Sequence, residues 1–110
     1  MNLLNRIKYA TEHHPDYEPC KFHTLTFYPS SPARNNIEWA VKSFQQFCIC
    51  IARKLNSHII PVAGIGKTKK GNWHIHYVLL VEKGRRKPTS RILKELWWKG
   101  NKRGRSGTIL

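Results

Sequence analysis

Two histidines separated by a single residue are the feature of this chain best suited to chemistry. His74 and His76 lie in a segment, 73–81, that is rich in apolar, β-branched and aromatic residues. Because strand side chains alternate between faces, both imidazoles are expected on one face, with Ile75 and Tyr77 on the other. Two adjacent imidazoles supply part of a metal site. A purely structural pair is the alternative, since His-x-His also arises by chance.

The charge of the chain favours a polyanionic partner. Its 20 basic and 6 acidic residues give a net charge of +14, and residues 67–110 alone carry 13 basic and 2 acidic side chains. The basic half of the chain is therefore also the half that contains the histidines. A field of this sign attracts nucleic acid, whereas anionic membranes match less well because the basic residues lie in Gly- and Pro-containing loops.

Size and composition exclude several classes of protein. A chain of 110 residues is long enough for one domain with a single core. It has no apolar run of the roughly 18 residues that span a membrane, and its first ten residues lack the apolar centre of a signal peptide. The sequence therefore predicts a cytoplasmic protein. Cys20, Cys48 and Cys50 lack the spacing of a zinc site and are expected to be free thiols.

The pattern of the first half predicts an arm, a strand and a helix. Residues 1–20 contain two prolines and are expected to form an irregular N-terminal arm. Residues 22–28 are largely β-branched and aromatic, which predicts the first strand. From 37 to 55 apolar residues recur every three or four positions, which predicts a long helix capped by Asn35 or Asn36.

The second half predicts a hairpin and a shorter helix. Segments 59–65 and 73–81 are joined by a basic turn with two glycines, as in a β-hairpin. A helix capped by Thr89 or Ser90 follows, and the last three residues resemble the start of a strand. This order predicts an α+β fold of the ferredoxin-like or RRM-like split β-α-β type, with helices on one face of an antiparallel sheet and truncation at the C-terminus. The histidines would lie on the less covered face.

Three segments resemble the HUH endonucleases, in particular the rolling-circle replication initiators (Rep proteins) of plasmids, phages and small single-stranded DNA viruses. Segment 22–28 (FHTLTFY) is similar to the first motif of that family, and 71–76 (GNWHIH) is similar to its glycine followed by His-hydrophobic-His. Segment 96–100 (LWWKG) is similar to a tryptophan and glycine that some initiators have after the histidine strand. The resemblance implies that residues 21–110 form an HUH-like nuclease domain.

The resemblance implies a metal-assisted nuclease acting on single-stranded or hairpin DNA. A divalent ion, Mg²⁺ or Mn²⁺, would be held by His74, His76 and a third polar ligand, and would bind the scissile phosphate. A tyrosine would attack phosphorus, leaving a 5′-phosphotyrosyl bond and a free 3′-hydroxyl.

Two departures from the family pattern bear on the site. The family's third ligand is an acid or amide on the preceding strand, yet residues 62–67 contain no acid, so His58 and His23 are the candidates. The family's tyrosine lies on a later helix, and Tyr77 is expected to face away from the histidines. The nucleophile would then lie beyond Leu110, with Tyr28 as a candidate within the chain, or the protein binds DNA without cutting it.

Basic residues in three segments are predicted to contact phosphates, and two other functions remain open. The predicted contacts are Lys67, Lys69, Lys70, Arg85, Arg86, Lys87, Lys102, Arg103 and Arg105. One alternative is a non-enzymatic RRM-like module, which would carry exposed aromatic residues on the open face of its sheet. The other is a relaxase or transposase of the same superfamily. Histidines on the open face favour the nuclease over the RRM-like module.

Overall fold

The sheet is built around the strand that carries the histidines. In a computed structural model, which describes residues 2–27 and 31–101, the strands are β1 (Tyr17–Leu25), β2 (Ile59–Lys67) and β3 (Trp73–Glu82). The described sheet has the order β1-β3-β2, and β3 is antiparallel to both neighbours. A long helix connects β1 to β2 around β3. The predicted α+β fold with a split β-α-β arrangement is therefore confirmed, while the strand predicted at 108–110 lies outside the described residues.

The helices are α1 (Leu3–His13), α2 (Ile37–Leu55) and α3 (Ser90–Asn101), with a short 3-10 turn at Pro32–Arg34 before α2. The caps follow the sequence, because small polar side chains satisfy the first free amides of a helix. The Asn36 side chain accepts hydrogen bonds from the amides of Glu38 and Trp39 at the start of α2. The Thr89 hydroxyl accepts one from the amide of Ile92 in α3.

The main core lies between one face of the sheet, here called the inner face, and helices α2 and α3. On β3 this face carries Ile75, Tyr77 and Leu79, all buried, as the alternation predicts. Phe47 from α2 and Trp97 from α3 pack against each other with ring centroids 5.2 Å apart. The indole N–H of Trp97 donates to the carbonyl of Thr26, so its polar atom is satisfied.

The N-terminal segment differs from the predicted irregular arm. Residues 3–13 form α1, and β1 already begins at Tyr17. α1 contacts both edge strands, β1 and β2. The sheet face opposite the core, here called the outer face, carries buried Val62, Val78 and Leu80. We conclude that α1 covers the part of the outer face that contains these residues. The predicted helices α2 and α3 share the inner face, and α1, which was not predicted, adds a helix against the outer face.

The connection between β2 and β3 fixes the register of the histidine strand. The amide of Thr68 donates to the carbonyl of Asn72, and the amide of Gly71 donates to the carbonyl of Thr68. Gly71 has φ 83°, a conformation that side chains with a Cβ rarely adopt. The tight turn places Lys67 opposite Trp73, and every later pair of the hairpin follows from it.

None of the helices within the described residues is long and apolar enough to cross a membrane.

Candidate metal centre and nucleic-acid interface

His74 and His76, here called the histidine pair, lie side by side on the outer face. Their ring centroids are 4.6 Å apart and their planes are 75° apart. Both side chains are only partly buried, so α1 leaves this end of the outer face open. The predicted placement of the two imidazoles on the same face is confirmed.

Thr24 on β1 orients one ring of the pair. It lies directly opposite His76, and its hydroxyl is 2.7 Å from Nδ1 of that histidine. A hydrogen bond at Nδ1 leaves Nε2 as the nitrogen available to a ligand. This is the arrangement by which partners of ligating histidines fix the ring and its tautomer.

Two glycines on β2 make room beside the histidine pair. Gly66 lies opposite His74 and Gly64 lies opposite His76, so any side chain there would project over the same face. A Cβ on Gly66 would lie 3.0 Å from Nε2 of His74, whereas a Cβ on Gly64 would meet nothing within 4 Å. On the β2 side of the site, therefore, only backbone atoms are present, and a ligand can approach them closely.

The environment of His74 favours its neutral form. Burial lowers the pKa of His74, and the neighbouring His76 lowers it further because two positive charges would repel. Metals bind the neutral imidazole. A neutral His74 beside His76, whose ring is oriented by a hydroxyl, fits an ion that takes its remaining ligands from water and a phosphate.

Neither candidate for a third ligand lies at the histidine pair. His23 is on the inner face, where Nδ1 is 3.1 Å from the Tyr77 hydroxyl and Nε2 is 3.5 Å from the Ser90 hydroxyl. His58 precedes Ile59, which pairs with Val81, so it lies about 26 Å along the sheet from His74. Both assignments were wrong. No group of three or more His, Cys, Asp or Glu side chains among the described residues could hold a metal.

The tyrosine within β3 is excluded as a nucleophile. Tyr77 is fully buried on the inner face, and burial raises the pKa of its hydroxyl far above the ordinary value, with smaller contributions from Cys48 and Cys20. This confirms that it faces away from the histidines. Tyr28 lies outside the described residues.

The predicted phosphate contacts divide into separate groups. Lys67, Lys69 and Lys70 are exposed at the end of the sheet that carries the histidine pair, and the Lys67 ammonium lies 4.6 Å from the centre of a Trp73 ring. Residues 85–87 follow β3 at the opposite end, about 20 Å or more from His76. The structure therefore brings only the first group to the same end of the sheet as the histidine pair, and within it Lys67 lies over Trp73, a residue of the inner face. The remaining predicted contacts, Lys102, Arg103 and Arg105, lie outside the described residues.

Two side chains of the second basic group, residues 85–87, already have partners within the protein. Arg85 donates to the carbonyl of Asn56 at 2.6 Å, and Lys87 forms an ion pair with Glu18 at 2.9 Å. The hydrogen bond and charge of Glu18 raise the pKa of Lys87. These side chains connect the loop after β3 to its neighbours.

Sequence reasoning missed one aromatic residue at the site. Phe22 lies opposite Val78 on the outer face, is 57% exposed and is nearly parallel to His76, with ring centroids 6.3 Å apart and planes 19° apart. The alternation from buried Leu25 could have assigned Phe22 to this face. Its position beside His76 depends on the pairing of β1 with β3, which is distant in sequence. Thr24 was missed for the same reason.

Comparison with known proteins yields no match. No family model, no curated protein and no solved structure is significantly similar to the chain. The function must therefore be inferred from the residues of the site.

Proposed function

We propose that this chain is a replication-initiator nuclease domain of HUH type that binds single-stranded DNA on the outer face and nicks it with a divalent metal. The observation that carries the proposal is the histidine pair, which lies on an open face with glycines on one side and an orienting threonine on the other. The proposal places the protein in the cytoplasm, with plasmid, phage or viral DNA as its partner.

Each residue of the site has a role in this proposal. His74 and His76 hold Mg²⁺ or Mn²⁺, and Thr24 keeps His76 in the orientation that presents Nε2. Lys67, Lys69 and Lys70 attract the DNA backbone to this end of the sheet. When bound, the metal would supply positive charge that stabilises the negative charge building up on the scissile phosphate. Gly64 allows the DNA backbone to approach the sheet, because its Cβ position is open space.

The nucleophile belongs to the proposal by resemblance alone. A tyrosine hydroxyl would form a bond to phosphorus, release the 3′-oxygen of the upstream strand and remain linked to the 5′-phosphate of the downstream strand. Tyr28 is the candidate within the chain.

The decisive experiment measures whether labelled DNA becomes covalently attached to the protein. A single strand labelled at its 3′ end should transfer label to the protein in Mn²⁺, because the downstream fragment carries the 3′ end. EDTA and the double variant His74→Ala, His76→Ala should each abolish transfer, while the distant control His58→Ala should retain it. Loss of transfer in Tyr28→Phe would identify the nucleophile.

Other outcomes would contradict the proposal. Transfer that persists in the double variant would exclude the histidine pair from the chemistry. Single-strand binding that is independent of metal, with no transfer and no Mn²⁺ bound by the protein, would instead support the non-enzymatic RRM-like module, which the exposed aromatic Phe22 on the outer face also fits. A relaxase or transposase would give the same adduct, and comparing origin DNA with transfer-origin and transposon-end DNA would then separate these functions.

A further inference from the structure

Phe22 is a large apolar ring that the fold leaves in solvent at the edge of the histidine pair. Its neighbour on the same face, Val78, is 6% exposed, but Phe22 is 57% exposed. Single exposed apolar side chains are common on protein surfaces. Phe22 differs because its ring is aligned with His76, which is itself held by Thr24. The ring therefore belongs to an ordered surface next to the proposed phosphate site.

A local irregularity of β1 accounts for this placement. The register of β1 against β3 shifts between Cys20 and Phe22, so one extra residue is accommodated there. The bulge allows Cys20 and His23 both to lie on the inner face, and it leaves Phe22 and Thr24 on the outer face. Bulges commonly re-aim side chains next to functional sites.

The charges on this part of the sheet indicate what would cover Phe22. Lys67, Lys69 and Lys70 are exposed beyond the histidine pair, starting about 17 Å along the strands from Phe22. No acidic residue occurs in segments 19–27 and 59–81, which form this part of the sheet. Proteins that bind single strands combine basic side chains, which contact the backbone, with aromatic rings, on which bases stack. An unpaired base is apolar on its faces and linked to phosphate, so it matches both features.

We propose that Phe22 stacks an unpaired base of the single-stranded DNA whose phosphate lies at the histidine pair. This inference rests on the proposed function for the identity of the DNA, but the stacking itself requires no metal. Because every base has an aromatic face, Phe22 would contribute affinity with little preference for sequence. It would contribute nothing to duplex binding, where base faces are already covered.

The test combines a protein variant with a modified DNA in the presence of EDTA. In a series of oligonucleotides, each with one abasic position, one position should weaken binding to the unmodified protein by about tenfold. Phe22→Ala should weaken binding of the intact oligonucleotide by a similar factor and lose sensitivity to that position. Phe22→Trp should restore both. Trp39→Ala is the matched control, because Trp39 is 43% exposed on α2, which packs on the inner face.

Two results would overturn the inference. One is equal affinity of the unmodified protein and Phe22→Ala for the intact single strand. The other is a loss of affinity that is as large for Phe22→Ala as for the unmodified protein at every abasic position. Because binding is measured without metal, stacking can fail while metal-dependent label transfer persists, and it can succeed when no metal binds.

Discussion

At the scale of single residues, the site consists of ligand candidates and the groups that position them. The alternation of strand side chains was enough to predict that His74 and His76 share a face. Gly64 and Gly66 follow once the β2–β3 turn is known, because the hairpin pairs residues in strict order. That Thr24 and Phe22 lie beside His76 could not be predicted, since this depends on pairing between strands about 50 residues apart in sequence.

Replacing Thr24 with valine tests its positioning role. Valine keeps the shape of threonine but removes the hydroxyl bonded to Nδ1 of His76. We expect Mn²⁺ affinity to fall by about 10- to 100-fold, as for other partners of ligating histidines. Electron paramagnetic resonance titration of free Mn²⁺ measures this directly. Thr11→Val is the control, because its hydroxyl bonds only within α1, and equal affinity in both variants would exclude the role.

The two glycines on β2 provide a matched pair of variants. In Gly66→Ala the new methyl would lie 3.0 Å from Nε2 of His74 and must displace the ring by a few tenths of an ångström. We expect about a tenfold loss of Mn²⁺ affinity by the same reasoning as for other disturbed ligands. Gly64→Ala meets open space and should bind Mn²⁺ as the unmodified protein does. A Gly64→Ala loss as large as that of Gly66→Ala would contradict this assignment.

At the scale of elements, the strongest sequence patterns gave correct helices and strands, and the weakest did not. α2 has a long apolar repeat and β3 a fully apolar inner face, so each was predictable. α1 presents only Leu3, Ile7 and Ala10 as a partly buried stripe, with a proline shortly after it. Packing against the sheet stabilises such a helix more than its own sequence does. Pro19 and Pro61 fit strands because β1 and β2 are at the edges of the described sheet.

The covering of the outer face by α1 predicts a large effect of truncating Leu80. Leu80 is completely buried although it lies opposite the main core. We expect Leu80→Ala to reduce the free energy of unfolding by about 2–5 kcal/mol. Urea denaturation measures this, and Ile65→Ala, at a 39% exposed position of β2, should cost much less. Similar values for both variants would mean that α1 does not cover Leu80.

The contact between α2 and β3 predicts that stability falls at alkaline pH. Burial raises the pKa of Cys48 from 9.0 to about 12, so above pH 9 the thiol ionises in the unfolded state but not in the folded one. The unfolded state then binds fewer protons, and the free energy of unfolding should decrease by about 1.4 kcal/mol per pH unit from this group. Tyr77, whose pKa is also raised, adds to the loss above pH 10.

Urea denaturation between pH 8 and 10 tests this dependence. Cys48→Ala should flatten the decline between pH 9 and 10. An unchanged slope in Cys48→Ala would show that its thiol is not the group responsible.

At the scale of the whole molecule, positive charge is present at both ends of β3, but only one end is adjacent to the histidine pair. The lysines of the β2–β3 turn are exposed. By contrast, Arg85 donates a hydrogen bond to the carbonyl of Asn56, and Lys87 forms an ion pair with Glu18. Composition alone could not distinguish these groups, because their partners come from distant parts of the chain. DNA binding should therefore depend on the first group.

The salt dependence of DNA binding tests this asymmetry. Each phosphate contact of a single strand contributes about 0.7 to the slope of log affinity against log salt. Replacing Lys67, Lys69 and Lys70 with glutamine should therefore reduce the slope by about 2, whereas replacing residues 85–87 should leave it nearly unchanged. Fluorescence anisotropy at salt concentrations from about 50 to 200 mM measures both slopes. A larger change from residues 85–87 would relocate the DNA to the far end of the sheet.

The central position of β3 has a consequence for how the site behaves over time. It is the strand of the described sheet with hydrogen-bonded neighbours on both sides, and it contributes most of the buried inner face. Backbone amides in such strands exchange with solvent only through global opening. The spacing of the two imidazole-bearing residues is thus set by the folded chain itself, and we expect it to be the same before and after a ligand binds.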